Sequence, residues 1–172
     1  MPDVSAAEFW EDLYAQHGDG WELGQPAPPL VEFIEATPPP LGRVAVPGCG
    51  RGHDVRYLAS RGYVAVGFAF SPAAIRAART LERLTPASAG QGALPGGAVA
   101  FEQRDLFSLA RDYFHALDGV WEYTCFCAID PRRRAEYVRV MDAILKPGGW
   151  FLACFFPVRR VSGGPPFPVS KA

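Results

Sequence analysis

The amino-acid sequence predicts an α/β fold: a doubly wound, mostly parallel sheet with helices on both faces. Three observations carry that expectation. Apolar runs bounded by glycine and proline alternate with stretches of helical period, the pattern of β-α-β units. Val, Ala and Phe dominate the runs, as expected of strands covered on both faces. The first run also empties into a glycine-rich turn that opens a helical stretch, Val44-Ala45-Val46-Pro47-Gly48-Cys49-Gly50-Arg51-Gly52 followed by Val55, Leu58 and Ala59.

The elements follow in order. After an aromatic-rich start, Pro38-Pro39-Pro40 breaks the chain and residues 43–47 read as the first strand. Residues 63–70 read as the second strand. Ser71-Pro72 then offers an N-cap hydroxyl and a pre-set φ at the first helical position, so a helix starts there. Residues 81–97, with Pro86, Gly90, Gly92, Pro95, Gly96 and Gly97, read as a loop. Residues 98–102 read as the third strand, 117–123 as the fourth and 150–156 as the fifth. Asp130-Pro131 repeats the helix-start device. No internal repeat is present.

Length and composition narrow the function. A chain of 172 residues fits one domain, spanning 1–172, that buries roughly 70% of its unfolded surface without disulfide or metal. The 17 Lys+Arg nearly balance 18 Asp+Glu for a net charge of -1, which argues against a dedicated nucleic-acid binder and for a small-molecule partner. Cys49, Cys125, Cys127 and Cys154 lack the spacing of a zinc or redox motif, so no metal is expected and the thiols read as reduced and cytoplasmic. Asp3, Glu8 and Glu11 near the start, and the lack of any apolar run near ~18 residues, predict neither secretion nor membrane insertion. Oligomeric state is not legible.

The turn carries the first functional signal. Gly48, Gly50 and Gly52 let backbone approach a ligand without Cβ collision and place helix N–H groups beside it. A dinucleotide fingerprint wants a third glycine three residues after the second, but that position is His53. The tighter spacing suits a nucleotide-type ligand with no pyrophosphate.

Several segments together resemble one family. Phe9-Trp10, Gly20-Trp21-Glu22-Leu23-Gly24-Gln25-Pro26, the stretch from Val46 to Asp54, Arg104-Asp105-Leu106-Phe107 and Glu122-Tyr123-Thr124-Cys125-Phe126-Cys127-Ala128-Ile129 look like the thiopurine and thiol/halide methyltransferases. Leu145-Lys146-Pro147-Gly148-Gly149 and Gly163-Gly164-Pro165-Pro166-Phe167 continue the likeness over almost the whole chain. The resemblance implies a Rossmann-like core over 41–172, an aromatic lid over 1–40, and S-adenosylmethionine as methyl donor to a thiol, thiopurine or halide. It assigns Gly48, within the Gly48-x-Gly50 turn, to the methionine end. It assigns Asp105, with the Leu106 backbone, to the adenine edge, where a carboxylate accepts from an amino group; a solvated loop acid is the other reading of Asp105. Trp10, Tyr14 and Trp21 match aromatic positions that wrap the cofactor, and Tyr123 matches one at the mouth of the fourth strand. Ring faces attract a sulfonium as they do any organic cation. Trp10 and Tyr14 stand four apart, however, a spacing that equally serves packing of a helix on a core.

Two departures from the family stand out. Where its second strand ends in a ribose-holding Asp, this chain has Ala69, in Gly67-Phe68-Ala69-Phe70-Ser71-Pro72; Ser71 offers at most a weaker neutral contact. The family also continues past Gly-Pro-Pro-Phe into a helix and a closing hairpin, whereas this sequence ends at Ala172, so a C-terminal hairpin is expected to be missing and a strand edge exposed. This pattern favours an enzyme, with a cofactor-binding module of lost or weak turnover as the alternative. Methyl transfer from a sulfonium releases a neutral thioether and requires no leaving-group acid, so positioning and water exclusion can carry catalysis. No catalytic residue is assigned: Glu122 reads equally as a buried strand-end acid, His53 as a helix-face residue, and Cys125 and Cys127 as packing residues.

Overall fold

The computed structural model describes residues 3–16, 20–90, 92–155 and 164–169. Five strands, β1 (Arg43–Pro47), β2 (Val64–Ala69), β3 (Ala98–Gln103), β4 (Leu117–Tyr123) and β5 (Leu145–Cys154), form one sheet in the order β3-β2-β1-β4-β5, and every pair is parallel. The order reverses between β1 and β4, so the crevice for a ligand opens at the carboxyl ends of those strands.

Among the described residues six α-helices accompany the sheet: α1 (Ala7–Ala15), α2 (Pro28–Ala36), α3 (His53–Ser60), α4 (Pro72–Leu84), α5 (Leu109–Tyr113) and α6 (Arg134–Ile144). Alternation along the strands sorts them into layers. Val44, Val46, Ala65 and Trp121 point to one face, under Leu30 and Ile34 of α2, Val55 and Leu58 of α3, and Ile75 of α4. Ala45, Val66, Phe68 and Val120 point to the other, under Leu109 of α5 and Tyr137, Met141 and Ile144 of α6. The doubly wound sheet is therefore the observed one.

The helix starts are built as their residues dictate. The Ser71 hydroxyl accepts the Ala74 N–H at 3.2 Å, and Asp130 accepts the Arg132 N–H at 2.9 Å, opening a 3₁₀ turn, Pro131–Arg133, that feeds α6. Several boundaries differ from expectation: β2 spans 64–69 rather than 63–70, and β3 runs one residue further, through Gln103. Helix α4 runs through Leu84 rather than ending before Leu81, because only Pro86 disfavours the helical conformation of its predecessor. Strand β5 begins at Leu145, which pairs with Leu117, and residues 146–149 then bulge out before Trp150 rejoins opposite Gly119. Its expected end at Phe156 lies outside the described residues; Phe155 is past the strand. No helix is expected from the sequence at α2 or α5, and α1 is signalled only by the helical spacing of Trp10 and Tyr14. Among the described residues no strand pairs with the outer edge of β5, where Phe151 is exposed.

Candidate functional site

The crevice holds a cavity of about 380 Å³ floored by the glycine turn. That turn is tied to β2 by the Cys49 N–H on the Phe68 carbonyl at 3.0 Å and closed by the Gly52 N–H on the Cys49 carbonyl at 2.8 Å. Gly48 has φ +64°, and a Cβ there would meet the Cβ and Sγ of Cys125 at 2.9 Å, so only glycine lets the turn lie against β4's exit loop. Gly50 lines the same cavity.

Trp10, Tyr14 and Trp21 flank the opening. Their rings meet edge to face, Trp10 to Trp21 at 5.9 Å and Tyr14 to Trp21 at 6.1 Å, and the Trp10 indole N–H donates to the Val4 carbonyl at 2.9 Å. Helix α1 buries no residue, so the spacing of Trp10 and Tyr14 turns both rings toward Trp21 and the cavity, although Tyr14 also packs partly on the core.

Ala69 lines the wall, and its carbonyl accepts the Arg104 N–H at 3.0 Å. Ser71 lines it too, but its one donor goes to the Glu11 carboxylate while its oxygen accepts from Ala74, so the hydroxyl is committed within the protein. Asp105 and Leu106 also face the cavity. Asp105 is exposed, and one of its oxygens caps the 3₁₀ turn Leu106–Ser108 through the Phe107 N–H at 2.9 Å. Across from it the Arg133 guanidinium lies 3.4 Å from the Phe107 ring centroid. Tyr123 does not line this cavity. It lines a smaller one beside it, stacked on Trp121 at 6.0 Å and 11°.

The groups left unassigned are now placed. Glu122 is 1% exposed and lines neither cavity; it accepts the Phe126 N–H at 2.8 Å and the Tyr137 hydroxyl. Burial pushes its carboxyl up to about 7, against the pull of those donors. Cys125 packs in the core as expected, and with Cys127 it also lines the larger cavity. Burial pushes both thiols up, and Cys49 up to about 12, so none is a thiolate at neutral pH. His53 sits in the smaller cavity, 3.3 Å from Glu22. Sequence reasoning missed Arg104 and Arg133 in the larger wall, and the Glu11–Ser71 contact, since they join segments far apart in the chain.

The family model for thiopurine S-methyltransferase matches residues 5–172. A probable thiol methyltransferase 2 of Arabidopsis thaliana is 33% identical over 162 residues, covering 94% of this chain and 67% of its own length. Thiocyanate methyltransferase 1 of Brassica oleracea is 29% identical, covering 99% and 71%. The thiopurine S-methyltransferase of Vibrio atlanticus is 30% identical, covering 95% and 77%. Among solved structures, an S-adenosylmethionine-dependent methyltransferase of Methanosarcina mazei superposes with TM-score 0.62 at 25% identity over 75% of this chain and 57% of its own. A Burkholderia thailandensis N1-methyltransferase bound to S-adenosylhomocysteine gives 0.64 at 20% identity, covering 86% and 59%, and shares the fold. The chain thus spans about two thirds of its plant relatives and less than two thirds of these solved chains. It belongs to the thiopurine S-methyltransferase family, whose fold is that of the S-adenosylmethionine-dependent methyltransferases.

Proposed function

We propose that the chain transfers a methyl group from S-adenosylmethionine to a small soft nucleophile, a thiol, thiopurine or halide. The observation that carries this reading is the cavity at the carboxyl ends of β1, β2 and β4, floored by Gly48 and Gly50 and flanked by Trp10, Tyr14 and Trp21. The residues fit the cofactor: a floor that admits no Cβ at Gly48 and an aromatic rim for a sulfonium. Asp105 and the Leu106 backbone supply an adenine edge. Ala69 lines the wall beside Ser71, and at that strand end the position itself offers a ribose diol no carboxylate. When bound, the cofactor supplies an electrophilic methyl whose leaving group departs as a neutral thioether.

The chain's own contribution is positioning. Trp10, Tyr14 and Trp21 exclude water from the floor, while Tyr123 borders the adjoining small cavity. The wall made by Thr124, Cys125, Cys127 and Ile129, continued by Pro165 and Pro166, offers no ionised side chain, which suits a nucleophile that needs no base. Within 1–40 the aromatic part before Ala27 acts as the lid, whereas α2 packs with 41–172 in the core of one domain, and four free thiols suit a reducing cytoplasm. The test is incubation with S-adenosylmethionine and a panel of thiols, thiopurines and iodide. Release of S-adenosylhomocysteine is expected with at least one of them. Ala69 favours a second reading, a binding module of weak turnover, which cofactor binding with no product from any acceptor would select.

A further inference from the structure

The smaller cavity, about 60 Å³, opens off the larger one at the glycine turn; the two share Trp21, Gly48, Gly50 and Thr124. Its lining is of another kind. Where the larger wall is mostly apolar, this one gathers Glu22, Arg51 and His53, side chains only 20%, 32% and 16% exposed. Arg51 Nε lies 3.6 Å from Glu22 Oε2, longer than the ~2.7–2.9 Å of a charge-assisted hydrogen bond. His53 Nε2 lies 3.3 Å from Glu22 Oε1, which also accepts the Gly24 N–H at 2.8 Å, so the Glu22 carboxylate is fixed in place. Asp54, the remaining acid, is spent: its two oxygens accept the Ala27 N–H at 2.7 Å and the Trp121 indole N–H at 2.6 Å.

A half-buried anion and a half-buried cation held side by side, off a cavity sized for a nucleoside, match a small group carrying both charges on one carbon. Helix α3 starts at His53, and its N-terminus adds positive potential on the Arg51 side. We propose that Glu22 and Arg51 grip the α-amino-acid end of the ligand, Glu22 taking the ammonium and Arg51 the carboxylate, while the adenosine part lies in the larger cavity. The proposal rests on the cofactor reading above. It makes this pair the device by which the chain tells adenosine compounds with an amino-acid tail from those without one.

Calorimetric titration of the whole chain with S-adenosylhomocysteine and with 5′-methylthioadenosine, which lacks the amino-acid end, tests it. Unaltered protein is expected to bind the first more tightly. Glu22→Gln and Arg51→Met should each weaken S-adenosylhomocysteine by roughly tenfold or more, the worth of one charge-assisted contact, and shift 5′-methylthioadenosine by less than about twofold. Equal losses for both ligands would mean that Glu22 and Arg51 merely fasten the loop carrying Trp21, and would overturn the proposal. So would equal affinities in the unaltered protein, a result that leaves the cofactor reading standing. Binding of neither ligand would remove both.

Discussion

The Ser71 hydroxyl donates to the Glu11 carboxylate, so the side chain that caps α4 is itself held by a residue of α1. Glu11 also accepts the Ala73 N–H at 2.8 Å and lies 3.6 Å from Arg76. Through this latch the helix bearing Trp10 and Tyr14 is fastened beside the end of β2. Glu11→Ala should therefore loosen the aromatic rim. Loss of a contact worth about 1 kcal/mol is expected to weaken S-adenosylhomocysteine roughly fivefold and to speed proteolysis near the N-terminus. Burial alone would raise the Glu11 carboxyl, but Ser71, Ala73 and Arg76 more than offset that and hold it below its usual value. The latch's stability is thus present above the ordinary 4.5 and lost as pH falls through the lowered value. Unchanged affinity in Glu11→Ala would show that α1 is seated without it.

Ala69 is 7% exposed and closes the β2 end of the cavity. Ser71 does not replace a ribose carboxylate there, its donor being committed to Glu11. Ala69→Asp would place an acceptor for two ribose hydroxyls; the Arg104 guanidinium is already paired with Glu102 and Asp112, so the new charge relies on the ribose donors. Charge-assisted bonds worth ~1.5–3 kcal/mol correspond to roughly 10- to 100-fold in affinity. Side-by-side titrations with S-adenosylhomocysteine decide it; an equal or weaker affinity in the variant would mean that the chain reads the ribose by another route.

The sheet was legible because its causes are local. Runs of Val, Ala and Phe end at glycine or proline, and β1 and β4 occupy the residues their patterns mark. Helix α2 was missed although Pro28-Pro29 starts it and Leu30 and Ile34 are one turn apart, because so short an apolar stripe is outweighed by the prolines around it. Eight of the nine residues implied by the resemblance line the larger cavity and Tyr123 lines the smaller one, since each lies on a strand end, the glycine turn or the lid. The Glu22–Arg51–His53 group was not legible: residues about thirty apart meet only because the segment ending at Ala27 is pinned to Asp54.

Trp21 stands in T-shaped contact with two rings, Trp10 and Tyr14, and sits where the two cavities join. If its face meets the sulfonium, Trp21→Ala removes an attraction that only the charged methyl donor enjoys, worth ~0.5–2 kcal/mol. S-adenosylmethionine should then lose roughly 2- to 30-fold more affinity than S-adenosylhomocysteine. Equal loss for the two ligands would reduce the ring to packing.

Glu122 gives the protein an acid-favouring stability that one substitution should remove. Its carboxyl is fully buried between β4 and α6, and burial lifts it to about 7 in the folded chain against 4.5 ordinarily, partly opposed by the Tyr137 hydroxyl and the Phe126 and Cys125 N–H groups. An acid whose folded value is raised favours folding while protonated. The contribution is therefore full below pH 4.5 and lost as pH rises to about 7, a decline of at most about 3 kcal/mol. Glu122→Gln stays neutral throughout. Its amide oxygen can keep the Phe126 N–H, and its NH₂ can donate to the Tyr137 oxygen, whose hydroxyl rotates to accept. Urea unfolding midpoints measured from pH 4.5 to 7.5 should fall more steeply for the unaltered protein than for the variant. Parallel curves would show that Glu122 does not titrate in this range.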